Sequence, residues 1–298
     1  MLGETGAEAL RKRLKKKEIV VAPGVFSPSV AKLAENAGFE ALYFSGAGFA
    51  SLLALPDLGV TTLTEVARAT HEITSRTDVP VIVDADTGFG EALNVVRAID
   101  ELRTAGASAV QIEDQIIPKK CGHLEGKELV DTDEMVKKVI SANAAADGNP
   151  LIVARTDAVA VEGLDSAIAR ARAYQRAGAD IIFPEALQTR DDFTEFRKKV
   201  GTPLMANMTE FGKTPYMTAS EFEDLGYNIV IFPVTAFRAM MRAVQKTFAE
   251  LKGKGSQKGV LKTLMTREEF YDLVGYHEYE EADRNALEEA KRLRRAPT

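Results

Sequence analysis

Short apolar runs recur along the chain, separated by longer stretches of helical period. The runs cover residues 18–22, 41–44, 79–84, 109–113, 151–154, 180–183, 204–206 and 229–232. Each is too short for a helix, and most are rich in Val and Ile, which predicts strands. Helices are expected at 4–17, 91–105, 132–146 and 164–177. Another starts at Ser27-Pro28, an N-cap followed by proline in the first turn, and stops at Ala37-Gly38. Residues 45–48 and 85–90 read as loops.

About eight strands, each followed by a helix or by a loop and helix, indicate a parallel sheet. Eight such units over ~250 residues favour an α/β fold of the closed (β/α)₈ type. An open doubly wound sheet is the alternative. No G-x-G-x-x-G follows the first strand, which argues against its dinucleotide-binding form. Residues 253–259 read as a linker, and helices at 266–274 and 278–294 are surplus to a barrel. The expected division is a catalytic barrel with an N-terminal helix at 1–252 and a helical extension at 253–298. Such a tail is suited to packing on a neighbouring subunit.

Composition narrows the class. Of 298 residues, 45% are hydrophobic, enough for a sizeable core, and the net charge is -6. The basic run Arg11-Lys12-Arg13 and Lys15-Lys16-Lys17 lies on an acidic chain without interleaved aromatics, so it reads as a solvated helix face. No nucleic-acid partner is expected. One cysteine excludes an intrachain disulfide and fits a reducing compartment. No apolar run approaches the ~20 residues of a membrane span, and the charged N-terminus lacks a secretory h-region. The expectation is a cytoplasmic protein with no membrane partner.

Candidate chemistry gathers at the predicted C-terminal ends of strands, where barrels of this type keep their active sites. Tyr43, Ser45, Asp84, Asp86, Glu113, Arg155, Glu185, Asn207 and Thr209 all fall there. Asp84 and Asp86 point to one side of an extended chain, which suits a hard divalent cation; capping the next helix is the plainer role. Arg155 and Asp157 also read as a structural ion pair. Ser45-Gly46-Ala47-Gly48 reads equally as an anion cradle or a tight turn. The sole cysteine sits in Lys119-Lys120-Cys121-Gly122-His123. Two adjacent cations stabilise a thiolate, so the thiol is expected to titrate nearer neutrality than the ~8.5 of free cysteine. His71 and His277 carry no predicted chemistry.

Lys119-Lys120-Cys121-Gly122-His123, with Asp84-Ala85-Asp86 and Ile112-Glu113-Asp114-Gln115, resembles the isocitrate lyase and phosphoenolpyruvate mutase superfamily. The Cys-Gly-His element resembles its lyase branch. Supporting segments include Tyr43-Phe44-Ser45-Gly46, Leu55-Pro56-Asp57-Leu58-Gly59, Phe183-Pro184-Glu185-Ala186 and Asn207-Met208-Thr209-Glu210-Phe211-Gly212, so the similarity spans nearly the whole chain. The resemblance implies Mg²⁺ dependence, with Mn²⁺ as a substitute, and cleavage of a small hydroxy-tricarboxylate to pyruvate and succinate. It also implies a homotetramer with the C-terminal helix exchanged between subunits. Isocitrate, dimethylmalate and oxaloacetate-type substrates are the alternatives within the superfamily. A phosphoenolpyruvate-mutase activity and a catalytically silent dicarboxylate-binding barrel are the others.

The implied roles follow residue by residue. Asp84 and Asp86 hold the metal, directly or through water, with Asp57 and Glu113 outside them. Ser45, Gly46, Ala47 and Arg155 take the pyruvate portion. Gly122, His123, Asn207, Met208, Thr209 and Arg238 receive the succinate carboxylates, and Glu185 and Arg267 also match binding positions. Cys121 is the proton donor, on a lid formed by residues 119–127, with Lys119 and His123 beside it. Tyr43 is the expected base, since a phenol near a cation ionises more easily.

Overall fold

A computed structural model describes residues 4–295. Eight strands are present: β1 (Val20–Val25), β2 (Leu42–Phe44), β3 (Val81–Asp84), β4 (Ala109–Glu113), β5 (Leu151–Thr156), β6 (Ile181–Pro184), β7 (Met205–Asn207) and β8 (Ile229–Phe232). All pairings between them are parallel, in the order β6-β5-β4-β3-β2-β1-β8-β7. A bridge between Ile182 and Leu204, with Ile182 N–H donating to Pro203 O over 2.9 Å, joins the two outer strands and nearly closes a barrel. The open-sheet alternative is thereby set aside.

The helices are α1 (Gly6–Arg13), α2 (Pro28–Asn36), α3 (Gly46–Leu52), α4 (Leu63–Thr74), α5 (Ala92–Thr104) and α6 (Thr132–Ala146). They continue as α7 (Leu164–Arg176), α8 (Arg190–Lys199), α9 (Ala219–Asp224), α10 (Thr235–Lys254), α11 (Arg267–Val274) and α12 (Tyr276–Arg295). The Ser27-Pro28 start acts as predicted, and a second start signal is present on α1. The Ser27 hydroxyl accepts from Val30 N–H ahead of Pro28, and Thr5 with Glu8 forms a reciprocal capping box on α1.

Period-2 alternation explains the two cores. Tyr43, Ile82, Ala109, Val153, Ile181, Phe183, Met205, Ile229 and Ile231 point inward and fill the barrel. Their neighbours, such as Leu42, Val83, Ile112, Ile152 and Val230, point outward and pack under the helices. Leu10 of α1 is fully buried among the inward set, so the N-terminal helix plugs the barrel.

Three expectations shift. The sequence places the end of the first strand at Pro23-Gly24, but β1 runs on to Val25. Gly24 allows this, because a Cβ there would strike the Pro233 backbone. Residues 45–48 form no free loop: Ser45 caps α3, its hydroxyl accepting from Gly48 N–H over 3.1 Å. β5 extends through Arg155 and Thr156, two residues beyond the expected run. The alternation therefore carries Arg155 to the inner face.

The chain divides into two compact units, one up to Ala239 and one from Met240, a boundary that falls inside α10. In the second unit α10 runs to Lys254, where a linker was expected, and a 3₁₀ turn follows at Lys258–Thr263. α11 and α12 match the two expected tail helices. Thr266 caps α11 with Glu269, and Gly275 ends it in a left-handed conformation.

Candidate active site

A cavity of about 510 Å³ opens at the C-terminal ends of the strands. Its walls include Tyr43, Ser45, Ala47, Asp57, Asp84, Lys119, Cys121, Gly122, His123, Arg155, Phe183, Glu185, Asn207, Thr209 and Arg238. These residues come from most of the strands and the loops after them, so the barrel collects what the chain scatters.

One side is acidic. The Asp84 and Asp86 carboxylates converge on Gly46: a Cβ there would lie 3.1 Å from Asp84 Oδ2 and 3.3 Å from Asp86 Oδ1. Gly46 N–H donates to Asp84 Oδ2 (3.1 Å), and Gln111 Nε2 donates to Asp84 Oδ1 (3.0 Å). Asp86 has a positive φ of 47°, which Asp tolerates better than most residues. Lys119 reaches into this group, pairing with Asp57 and lying 2.8 Å from Asp86 Oδ1.

Negative charge is in excess here. Burial pushes the Asp86 carboxyl up to about 6, the attraction of Lys119 offsetting only part of the effect. Burial also drives Glu113 well above the usual carboxylate range. Desolvation acts to lower the Lys119 ammonium, but Asp86, Glu113, Asp57 and Asp84 together hold it well above its ordinary value. Glu113 Oε1 and Asp86 Oδ1 are buried without a hydrogen bond; Asp86 Oδ1 has only the misaligned Lys119 ammonium. Orphaned buried carboxylate oxygens of this kind suit a hard cation. Among the described residues, no three His, Cys, Asp or Glu side chains are grouped as direct metal ligands.

The opposite side is an ion-pair network. Arg155 makes a bidentate pair with Asp157 (2.9 and 3.0 Å), and approaches Glu113 (3.4 Å) and Glu185 (3.3 Å). Its guanidinium lies 5.2 Å over the Phe183 ring. The structural pair expected between Arg155 and Asp157 is thus present, and Arg155 still faces the cavity. Burial acts to raise Glu185, but Arg155 and the hydrogen bonds from His123 and Asn207 outweigh it and hold the carboxyl at about 2. His123 Nδ1 accepts from Lys213 N–H (3.0 Å), which leaves its proton on Nε2, 3.2 Å from Glu185 Oε1.

The cysteine loop lies against this network. Gly122 packs on Glu185 and Arg155 with no space for a side chain. Gln115 grips the loop twice, accepting from Lys120 N–H and donating to Lys120 O, both at 2.9 Å.

The Cys121 expectation needs correction, and three other expected residues have notable surroundings. The Cys121 thiol is pushed up, chiefly by burial, although the His123 backbone acts to lower it. The adjacent lysines do not act on it, because Lys119 faces the aspartates and Lys120 donates to Gly126 O (2.6 Å). Tyr43, the expected base, lies buried against Gln111. Its buried hydroxyl donates to Gln111 Oε1 (2.7 Å), and burial, then Asp84, drives its phenol well above the ordinary value. The Met208 side chain turns away from the inner face into the outer core, and its sulfur accepts from Met217 N–H. Arg267 is exposed at the start of α11 in the second unit.

Gln111 escaped sequence reasoning, although its inward position between Ala109 and Glu113 on β4 was readable from the alternation. Lys127 also escaped: it lies in an irregular loop where no periodicity reports burial. It donates to Gly122 O and lies 3.4 Å from Asp157 Oδ1.

Fold and site together define a parallel (β/α)₈ barrel whose mouth brings a carboxylate cluster and a buried arginine network to one cavity. The chain belongs to the phosphoenolpyruvate phosphomutase family, whose model matches residues 10–252. It is 57% identical to 2-methylisocitrate lyase of Aeropyrum pernix, over 95% of this chain and 92% of that protein. It is 43% identical to 2-methylisocitrate lyase of Escherichia coli K12, over 92% of this chain and 94% of that protein. Among solved structures it resembles 2,3-dimethylmalate lyase with a TM-score of 0.89, at 36% identity and 96% coverage of each chain. It also resembles phosphonopyruvate hydrolase, solved with oxalate and Mg²⁺, with a TM-score of 0.86 at 32% identity, covering 95% of this chain and 99% of that one.

Proposed function

We propose that this chain is a carbon–carbon lyase that cleaves 2-methylisocitrate to pyruvate and succinate. One observation carries the reading: Cys121, Asp84 and Arg155 line a single cavity, so an acid, a cation-binding carboxylate and an anion-binding cation all face one ligand. The identity to 2-methylisocitrate lyases supports the choice of substrate.

The reaction breaks the bond between the hydroxyl-bearing carbon and its carboxylated neighbour. The hydroxyl proton passes to the Tyr43 phenolate, which a bound cation would favour, the oxygen forms the pyruvate carbonyl, and the bond pair passes to the carbon that becomes part of succinate. Asp84 and Asp86 fit a Mg²⁺ ion, or Mn²⁺ in its place, with Asp57 and Glu113 behind them. When bound, such an ion lowers the pKa of a hydroxyl and stabilises negative oxygen.

The protein's own groups do the rest. Arg155 holds the pyruvate carboxylate, and the Ser45 side chain with the Gly46 and Ala47 backbone frames it. His123 Nε2–H, Asn207, Thr209 and Arg238 face the succinate portion, and their donors stabilise charge as it accumulates there. Cys121 then protonates the freed carbon. Burial suits this role, because it keeps the sulfur protonated at neutral pH. Before it acts as the base, Tyr43 also orients Gln111 and, through it, Asp84.

The exposed apolar residues Met241, Val244, Phe248 and Leu251 on α10 support coverage by further subunits, consistent with a homotetramer. A free catalytic thiol supports a reducing, cytoplasmic setting. The test is a panel of 2-methylisocitrate, isocitrate, dimethylmalate and oxaloacetate, with Mg²⁺ or EDTA, assayed for pyruvate and glyoxylate. Pyruvate from 2-methylisocitrate alone, abolished by EDTA, is expected. Faster cleavage of another member would reassign the substrate.

A further inference from the structure

We infer that Lys127 is a positioning residue that latches the cysteine loop onto the barrel, and that Asp157 is its anchor. Lys127 lies outside every regular element, yet its side chain is only 1% exposed. A lysine is rarely buried to this degree without a specific partner. Here the ammonium bridges two places: it donates to the Gly122 carbonyl, between Cys121 and His123, and it pairs with Asp157 at 3.4 Å.

Asp157 is well suited to bear this load. Its side chain is fully buried and already fixed by the bidentate pair with Arg155. Its backbone N–H donates to Asp114 Oδ1 (2.9 Å). Asp114 is clamped in turn by the Tyr174 hydroxyl (2.8 Å) and by Arg170, 3.6 Å away. Arg170 holds Val130 O (2.9 Å) just beyond the loop and pairs with Glu162 at 2.7 Å. One carboxylate therefore sets both the arginine that faces the ligand and the lysine that holds the loop.

The loop's other ties flank Gly122: Lys119 pairs with Asp57 and Asp86, Gln115 bonds to the Lys120 backbone, and His123 lies 3.2 Å from Glu185 Oε1. Lys120 bonds within the loop's own turn, to Gly126 O. His123 reaches the loop after β7 through Lys213 N–H. Removing Lys127 frees Gly122 O and releases the segment that carries the thiol, without touching a cavity-lining side chain.

The chain's single cysteine makes the test direct. Alkylation of Cys121 by iodoacetamide reports both its access and its thiolate fraction, and both rise when the sulfur leaves its buried position. The latch rests on the lyase reading only for its effect on turnover; the alkylation needs no substrate. In Lys127→Met the alkylation rate should rise at least tenfold while cooperative thermal unfolding persists. Lys120→Met, which removes a bond internal to the loop, should stay within threefold of the parent. Pyruvate release by Lys127→Met should fall at least tenfold. An unchanged alkylation rate in Lys127→Met overturns the latch, as does an equal rise in both variants. If the parent releases no pyruvate from any substrate, the lyase reading fails while the alkylation result still decides the latch.

Discussion

Gly122 lies directly against the Glu185 side chain, and a methyl group on its Cα would collide with Glu185 Cγ and fall 2.6 Å from Arg155 Nη2. The cysteine loop is therefore seated on the Arg155–Glu185 ion-pair network rather than hanging over it. Glu185 is fully buried between Arg155, His123 and Asn207, so it has little freedom to retreat. Gly122→Ala should displace the loop, at the ~1–3 kcal/mol typical of overpacking. Pyruvate release should drop about ten- to a hundredfold with an unchanged far-ultraviolet circular dichroism spectrum.

Asp86 gives a test of the metal through stability alone. Its folded-state value of about 6 lies above the ordinary value of 3.8. A raised carboxyl stabilises the fold while protonated, and this contribution is lost as pH rises through about 6. At pH 8 in EDTA, Asp86→Asn should therefore unfold at a temperature no lower than the parent. Asn also tolerates the positive φ. Mg²⁺ should raise the melting temperature of the parent, since a ligand that binds only the native state stabilises it. That rise should be much smaller in Asp86→Asn, as read by scanning calorimetry.

The pH profile follows from the buried thiol. A general acid works only while protonated, so activity is lost as pH climbs through its folded pKa. Burial places that pKa above the ordinary thiol value. Turnover should then hold through pH 8, with the alkaline limb attributable to Cys121 falling later. A limb near pH 7 in kcat would mean that the thiol is not shielded during turnover.

Leu10 tests the plug. It is fully buried among the side chains that fill the barrel. Leu10→Ala should cost about 2–5 kcal/mol in urea unfolding. Activity per folded molecule should be little changed, because the cavity lies at the C-terminal ends of the strands.

Much of this was legible in the chain itself. Strand positions follow from short apolar runs, and α6 (Thr132–Ala146) matches its expected bounds. Position at the C-terminal ends of those runs also identifies Asp84, Glu113, Arg155 and Glu185 as rim residues. What the sequence hid was set by three-dimensional partners. The charge of Lys119 looked available to Cys121, but the aspartates claim it. The sequence offers Tyr43 as a base but does not show that its hydroxyl donates to Gln111 Oε1. Lys127 carried no local signal, because its burial depends on Asp157, thirty residues away and reached only through the fold.

The most direct measurement is single-turnover cleavage of 2-methylisocitrate by Cys121→Ser, alongside succinate and pyruvate binding by calorimetry. Positioned acid catalysis is worth about 10²–10⁴-fold. Pyruvate release should slow by at least a hundredfold while product affinity stays within a few fold of the parent. Unchanged turnover would contradict the account, because the proton would then reach the freed carbon from a group other than Cys121.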